Sequence, residues 1–306
     1  MPIDKERVER EFSDHISAGQ LGYLRAGHLD VIESERRGIG FVDSASGRPM
    51  IDAFTSAGCF NVGRRNPAVL KALDEALENL DMGSPGLASA AKLEFARRLT
   101  ALAPGDLDRI VFACGGGDAV DGAIKLARAA TGRAGVIATL KGYHGHTGFA
   151  LSANGKEHYR GYAEPLMAGF DFVPFNDLEA VRREASETTA AIIVEPVQGE
   201  AGIFVGSDDY LRGLRELCER LGIVLIFDEI QTGFGRTGRM FASQHSGVVP
   251  DIMTVAKSLG GGLYPSAAIL YRPLPILNDY VASNPGFHPT IGGGCDIAAR
   301  GSAAVI

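Results

Sequence analysis

Short apolar runs rich in β-branched residues recur through the middle of the chain: RIVFA (109–113), GVIAT (135–139), AAIIVEP (190–196), IVLIF (223–227) and DIMTV (251–255). None alternates apolar with polar residues, so each predicts a strand covered on both faces. Between several of them lie stretches with apolar residues at helical spacing, at 119–130, 178–184 and 210–221. Strand, helix and strand in repetition predict an α/β fold with a mostly parallel central sheet and helices on both faces. Such sheets bind ligands at the carboxyl ends of their strands, so the functional residues should follow those runs directly.

The first 65 or so residues obey a different rule. GIGFVDSASGRPMIDAF (38–54) alternates apolar and polar positions around an SGRP turn, which predicts a small antiparallel unit. Pro67 then opens a helix over 68–80, with proline at the first helical position where its missing donor costs nothing. GSPG (83–86) ends it, and a second helix is expected over 88–102. The last residues, 295–306, read as the opening turns of a helix without a glycine cap or a basic final turn, an end that looks cut short.

With 306 residues, 45% of them hydrophobic, the chain can bury a large core and more than one subdomain. A net charge of -7 and the absence of basic runs exclude a protein that lives on nucleic acid, because clustered Lys and Arg carry that binding. The four cysteines, Cys59, Cys114, Cys218 and Cys295, are far apart and form no CxxC pair, so reduced thiols are expected rather than a zinc or redox site. The charged N-terminus lacks the apolar core of a signal peptide, and no window is long and apolar enough to cross a bilayer. Cytoplasm is the expected compartment, with no membrane partner.

IVLIF runs straight into two acids, Asp228 and Glu229. A carboxylate at the tip of a buried strand must be paired or shift its pKa; it serves either as a cap for the following loop or as a functional anion. Lys257, in TVAKSLGGG (254–262), also follows an apolar run, where a lysine either snorkels to solvent or acts as a nucleophile. Together the two have the form of a pyridoxal phosphate site, with an amine for the Schiff base and an anion for the pyridine nitrogen. ACGGGDAVDGAIKLAR (113–128) sets three glycines between a strand and a helix, exposing backbone N–H groups at the positive end of the helix dipole. Its spacing matches neither the dinucleotide nor the Walker phosphate loop. GYHGHTG (142–148) places Tyr143 and His144 after another strand end, suited to stacking on a flat ring or to ordinary packing.

Across residues 30 to 306 the sequence resembles the class III, or omega-type, aminotransferases, pyridoxal phosphate enzymes of fold type I. The segments that carry the resemblance are VEPVQGEAG (194–202), LIFDEIQTGFGRTG (225–238) and PDIMTVAKSLGGGLYP (250–265). It implies that Lys257 carries the Schiff base and moves the proton, and that Asp228 pairs with the ring nitrogen. By the same resemblance Gln231 lies near the ring hydroxyl, Tyr143 stacks on the ring with His144 beside it, and Gly116 and Gly117 donate to the phosphate. Thr290, in HPTIGGG, would reach the phosphate of the other subunit, which makes a homodimer part of the expectation. Glu195 and Glu200 match acids near cofactor and substrate, Glu200 as a gate, and Glu229 is assigned to structure. Residues 1–65 would belong to the family's small domain and 66–306 to its large cofactor-binding domain, with most of the C-terminal small domain lacking.

This chain also departs from the family. Gly115, Gly116 and Gly117 stand where Ser-Gly-Thr or Ser-Gly-Ser is usual, so backbone donors must hold the phosphate. Ala57 and His146 stand where ornithine-type members, which share its QGEAG and GGLYP, use tyrosine and arginine to hold substrate. The leading expectation is transfer of an amino group from a small-molecule amine to a carbonyl acceptor. The alternatives are a weak cofactor-binding remnant or subunit that needs a partner chain, and aminomutase or decarboxylase chemistry on the same Lys and Asp.

Overall fold

The computed structural model describes residues 4–306. Two helices, α1 (Lys5–Phe12) and α2 (Ala18–Ala26), open the chain. The hydrophobic pattern predicts neither, because α1 has the sequence KERVEREF and buries no residue. The expected antiparallel unit follows as β1 (Glu33–Arg37), β2 (Gly40–Asp43) and β3 (Arg48–Ile51), with Asp43 paired to Arg48 across the turn. Helix α3 (Pro67–Leu77) has proline in its first turn and Asn66 as its cap, and it stops three residues short of the expected end. Helix α4 (Ala90–Leu102) begins at its Ser89 cap.

The remaining elements build the main sheet: β4 (Arg109–Ala113), α5 (Gly116–Thr131), β5 (Gly135–Thr139), β6 (Phe170–Val173), α6 (Leu178–Glu184), β7 (Thr189–Val194), α7 (Asp208–Leu221), β8 (Val224–Asp228), β9 (Ile252–Val255) and β10 (Ala267–Tyr271). Helices α8 (Pro275–Ser283) and α9 (Asp296–Val305) complete the chain. The strand order is β4-β10-β9-β8-β7-β5-β6. Strands β9, β8, β7, β5 and β6 pair in parallel, and β10 runs antiparallel to both β9 and β4. Parallel pairing needs long crossovers, and α6 and α7 supply two of them. The short stretch between β9 and β10 holds no full helix, which is why β10 returns antiparallel.

Period-2 alternation splits the strand residues between two cores. Ile193, Ile226 and Ile252 pack under α5 with Val120, Ile124 and Ala127. Ile192, Leu225 and Phe227 pack on the other face against Leu214 and Leu217 of α7. A third cluster joins β9 and β10 to α4 and α9 through Phe95, Leu99, Met253, Leu270 and Ala299. The central runs are buried on both faces as expected, but RIVFA is only partly covered because β4 is an edge strand. Helix α5 ends on Gly132 and α7 on Gly222, both left-handed, the conformation that closes a helix most cheaply on glycine. No helix among the described residues is long and apolar enough to cross a membrane.

Candidate active site

The chemistry-bearing residues gather where the sheet geometry sends them, at the carboxyl ends of β5, β7, β8 and β9. Asp228 is the last residue of β8, Glu195 follows the last residue of β7, and Tyr143 and His144 lie in the loop after β5. Lys257 stands two residues beyond β9, at a positive φ of 47° and at the start of a short 3-10 turn. Helix α5 brings its first turn to the same place. A cavity of about 190 Å³ is lined by Gly116, Gly117, Tyr143, His144, Gly145, Glu195, Glu200, Asp228, Ile230, Gln231 and Lys257.

The acids are deeply buried and differently held. Asp228, 3% exposed, has one oxygen 2.7 Å from His144 Nδ1 and accepts the Ile230 N–H at 3.1 Å with the other. Burial works against a charge on His144, but the hydrogen bond and the charge of Asp228, helped by Glu195, raise its pKa above the ordinary value. The second ring nitrogen, Nε2, is buried without a partner. Glu195 accepts the Tyr143 N–H at 2.8 Å, and its pKa is pushed up to about 7, first by burial. Gln231 Nε2 donates to the Ala57 carbonyl and to Glu200, both at 3.2 Å. Tyr143 meets the rings of His146 and Tyr159 edge-on, at 5.6 and 5.3 Å between centroids.

Glu229 points elsewhere. It accepts the backbone N–H groups of Ala242 at 2.9 Å and Ser243 at 2.7 Å, and the hydroxyl of Thr232. It is a structural clamp on the loop after β8, and the adjacent acids of IVLIFDE therefore divide into one that faces the cavity and one that does not.

Nine of the ten residues singled out from the sequence line this one cavity: Gly116, Gly117, Tyr143, His144, Glu195, Glu200, Asp228, Gln231 and Lys257. Thr290 does not join them. It lies in a separate groove of about 720 Å³ with Pro85, Leu87, Phe112 and Phe287, and its hydroxyl is buried without a partner. The contact between His144 and Asp228 is not legible from spacing, since 84 residues separate them. Ile230 and Gly145 also line the cavity without having been singled out. The four cysteines are free thiols. Cys59 lies close enough to Lys257 that the ammonium works against the rise that burial gives its thiol pKa.

This arrangement fits pyridoxal phosphate. Helix α5 has Gly115 as its N-cap and no side-chain cap, so its first amides are left for an anion. An amine, a buried carboxylate and an aromatic ring border the same small space.

The family described as Aminotransferase class-III matches residues 25–290. The chain belongs to the class III aminotransferases. These are pyridoxal phosphate-dependent transaminases, and the fold is theirs. An uncharacterised aminotransferase of Archaeoglobus fulgidus is 42% identical over 293 residues, covering 96% of this chain and 68% of its own length. The ornithine aminotransferase of Toxoplasma gondii superposes with a TM-score of 0.90 at 27% identity, over 99% of this chain and 71% of that one. The taurine:2-oxoglutarate aminotransferase of Bifidobacterium kashiwanohense, solved with pyridoxal phosphate and glutamate, gives 0.89 at 29% identity, over 100% of this chain and 73% of that one. This aminotransferase chain thus spans about two thirds to three quarters of the length of these relatives.

Proposed function

We propose that this chain transfers an amino group from a primary amine or amino acid to a keto acid or aldehyde, through Lys257 and pyridoxal phosphate. The observation that carries the reading is the convergence of Lys257, Asp228 and the uncapped start of α5 on one cavity. When bound there, pyridoxal phosphate supplies an electron-accepting ring that stabilises negative charge on the substrate carbon. With the cofactor bound, the Lys257 amine would take the proton from the substrate carbon that bears the nitrogen and deliver it to the cofactor carbon on the other side of that nitrogen. Asp228, fixed by His144 and the Ile230 amide, keeps a proton at the ring nitrogen. Tyr143 would cover one ring face, Gln231 would serve the ring hydroxyl, and the Gly116 and Gly117 amides would take the phosphate. Glu200, which accepts a hydrogen bond from Gln231 at the cavity wall, would border the substrate.

A homodimer belongs to the same reading. The partnerless Thr290 hydroxyl, in a groove lined largely by apolar residues, supports a role toward the phosphate of a second copy. Free thiols suit the cytoplasm as the working compartment. The test is the visible spectrum of the purified chain with pyridoxal phosphate, before and after addition of amines. A yellow band that bleaches with a donor and returns with a keto acid supports transamination. A bound cofactor that ignores every amine overturns it in favour of a binding remnant.

A further inference from the structure

Glu195 lines the Lys257 cavity, yet the reaction as described gives it no work. Its place follows from the sheet. Val194 pairs with Phe227 across the parallel ladder of β7 and β8, so the next residues, Glu195 and Asp228, stand side by side at two neighbouring strand ends. Neighbouring strands are about 4.8 Å apart. Alternation turns both side chains to the same face, because Ile193 and Ile226, two residues earlier, both pack under α5. Two buried carboxylates held this close do not both ionise cheaply.

Their partners decide which one keeps the proton. Asp228 has the His144 ring at 2.7 Å and the Ile230 amide at 3.1 Å. Glu195 has one donor, the Tyr143 amide at 2.8 Å. The other charged groups facing the pair are Lys257, beyond β9, and Glu200 at the cavity wall. Burial, foremost, and the charge of Asp228 favour the neutral form of Glu195, while His144, the Tyr143 amide and Lys257 oppose it; the balance lies near neutrality.

We propose that Glu195 is a positioning residue that carries the proton of this acid pair, leaving Asp228 as the full anion, while its accepting oxygen pins the backbone of Tyr143. Only the statement of what Asp228 and Tyr143 then hold rests on the aminotransferase reading; the shared proton is a property of the chain itself. The first experiment is therefore an infrared pH titration of the cofactor-free chain against Glu195→Gln. The wild type should show a protonated carboxyl band that fades with a midpoint of about 7, and the variant should lack it. Glu229, a second buried acid, is common to both and cancels in the difference. Identical titrations in the two chains overturn the proposal.

The second experiment loads both chains with pyridoxal phosphate and follows the visible band with pH. The wild type should show an inflection of about 7 that Glu195→Gln lacks. Because glutamine keeps an oxygen for the Tyr143 amide, its cofactor affinity should stay within about threefold, whereas Glu195→Leu should lose about tenfold or more. Equal loss in both variants would reduce Glu195 to packing. A chain that titrates in the infrared but takes up no cofactor sinks the aminotransferase reading and leaves the shared proton standing.

Discussion

Gly115 offers a direct test of how the phosphate is held. It is the N-cap of α5, with φ -167° and ψ 176°, extended backbone that any residue adopts. A Cβ built there meets nothing within 4 Å. Gly115→Ser should therefore fold without strain and set a hydroxyl at the helix start, beside the amides of Gly116 and Gly117. As a cap alone, serine improves on glycine by only a few tenths of a kcal/mol. A hydrogen bond to a charged group contributes about 1.5–3 kcal/mol, and immobilising the hydroxyl and stripping its water offset part of that. The net expectation is on the order of 1 kcal/mol, roughly a fivefold lower Kd for pyridoxal phosphate. Titration of the cofactor into the cofactor-free chain, followed by absorbance, measures it. Gly117→Ser is the contrasting variant, since its Cβ would lie 2.8 Å from Thr147 Oγ1. It should weaken binding and lower the melting temperature. An unchanged or weaker Kd for Gly115→Ser, with melting intact, would refute the idea that the α5 amides hold the phosphate.

Three further outcomes follow from the same geometry. Glu195 has an ordinary pKa of 4.5 and one of about 7 in the folded chain, so the folded state holds a proton that the unfolded state releases as pH rises from about 4.5 to 7. Stability should fall across that window, by on the order of 3 kcal/mol, and Glu195→Gln should abolish this component; parallel denaturation curves of the two chains at about pH 5 and pH 8 would count against it. Glu229→Ala leaves the amides of Ala242 and Ser243 and the Thr232 hydroxyl without their acceptor, and should cost about 3–5 kcal/mol in urea unfolding without cofactor, a loss below about 1 kcal/mol being incompatible with a clamp. Thr55, Ser56 and Ala57 take positive φ angles of 52°, 50° and 56° beside the cavity, so Ala57→Gly should stabilise the chain by about 1 kcal/mol, and a lower melting temperature would show that this turn is not strained.

The parallel part of the sheet was readable because β5, β7, β8 and β9 are apolar but for one Thr or Asp each, and helical stretches separate several of them. Strand β6 escaped notice because FDFV interrupts its apolar residues with Asp171, whose position faces outward at the sheet edge. Strand β10 escaped because AAILY follows a glycine-rich turn instead of a helix, a spacing that fits an antiparallel return. The helices before residue 27 bury a single residue, Leu21 of α2; α1 buries none and is held by its Asp4 cap and by surface ion pairs such as Arg25 with Glu9. Asp228 and Lys257 were readable from the residues alone, since each follows directly on an apolar run, and the glycines before α5 from their place between a strand and a helix; the parts given to Gln231, Glu195, Glu200 and Thr290 came only from the resemblance to the family. The pairing of His144 with Asp228 was not readable, because it depends on strand order: β5 and β8 flank β7, and nothing in the local pattern says so.

Strand order and strand parity together explain the two adjacent acids that end β8. A run such as VLIFD is apolar on both faces, so its composition conceals which residues look toward which helix layer. The polar residues at its end reveal the phase. Asp228 continues the series of Val224 and Ile226, which pack under α5, and so meets the first turn of that helix across the cavity. Glu229 falls one step out of phase, although its amide still makes the ladder bond to the Thr254 carbonyl at 3.0 Å. Its carboxylate gathers the amides at 242 and 243 instead. Exchanging the two roles would require a one-residue slip of β8, which would also drive Leu225 and Phe227 from one core into the other. The burial of those apolar residues, each contributing about 1.5–3 kcal/mol, therefore fixes which acid faces the cavity, and the same ladder sets Glu195 beside it.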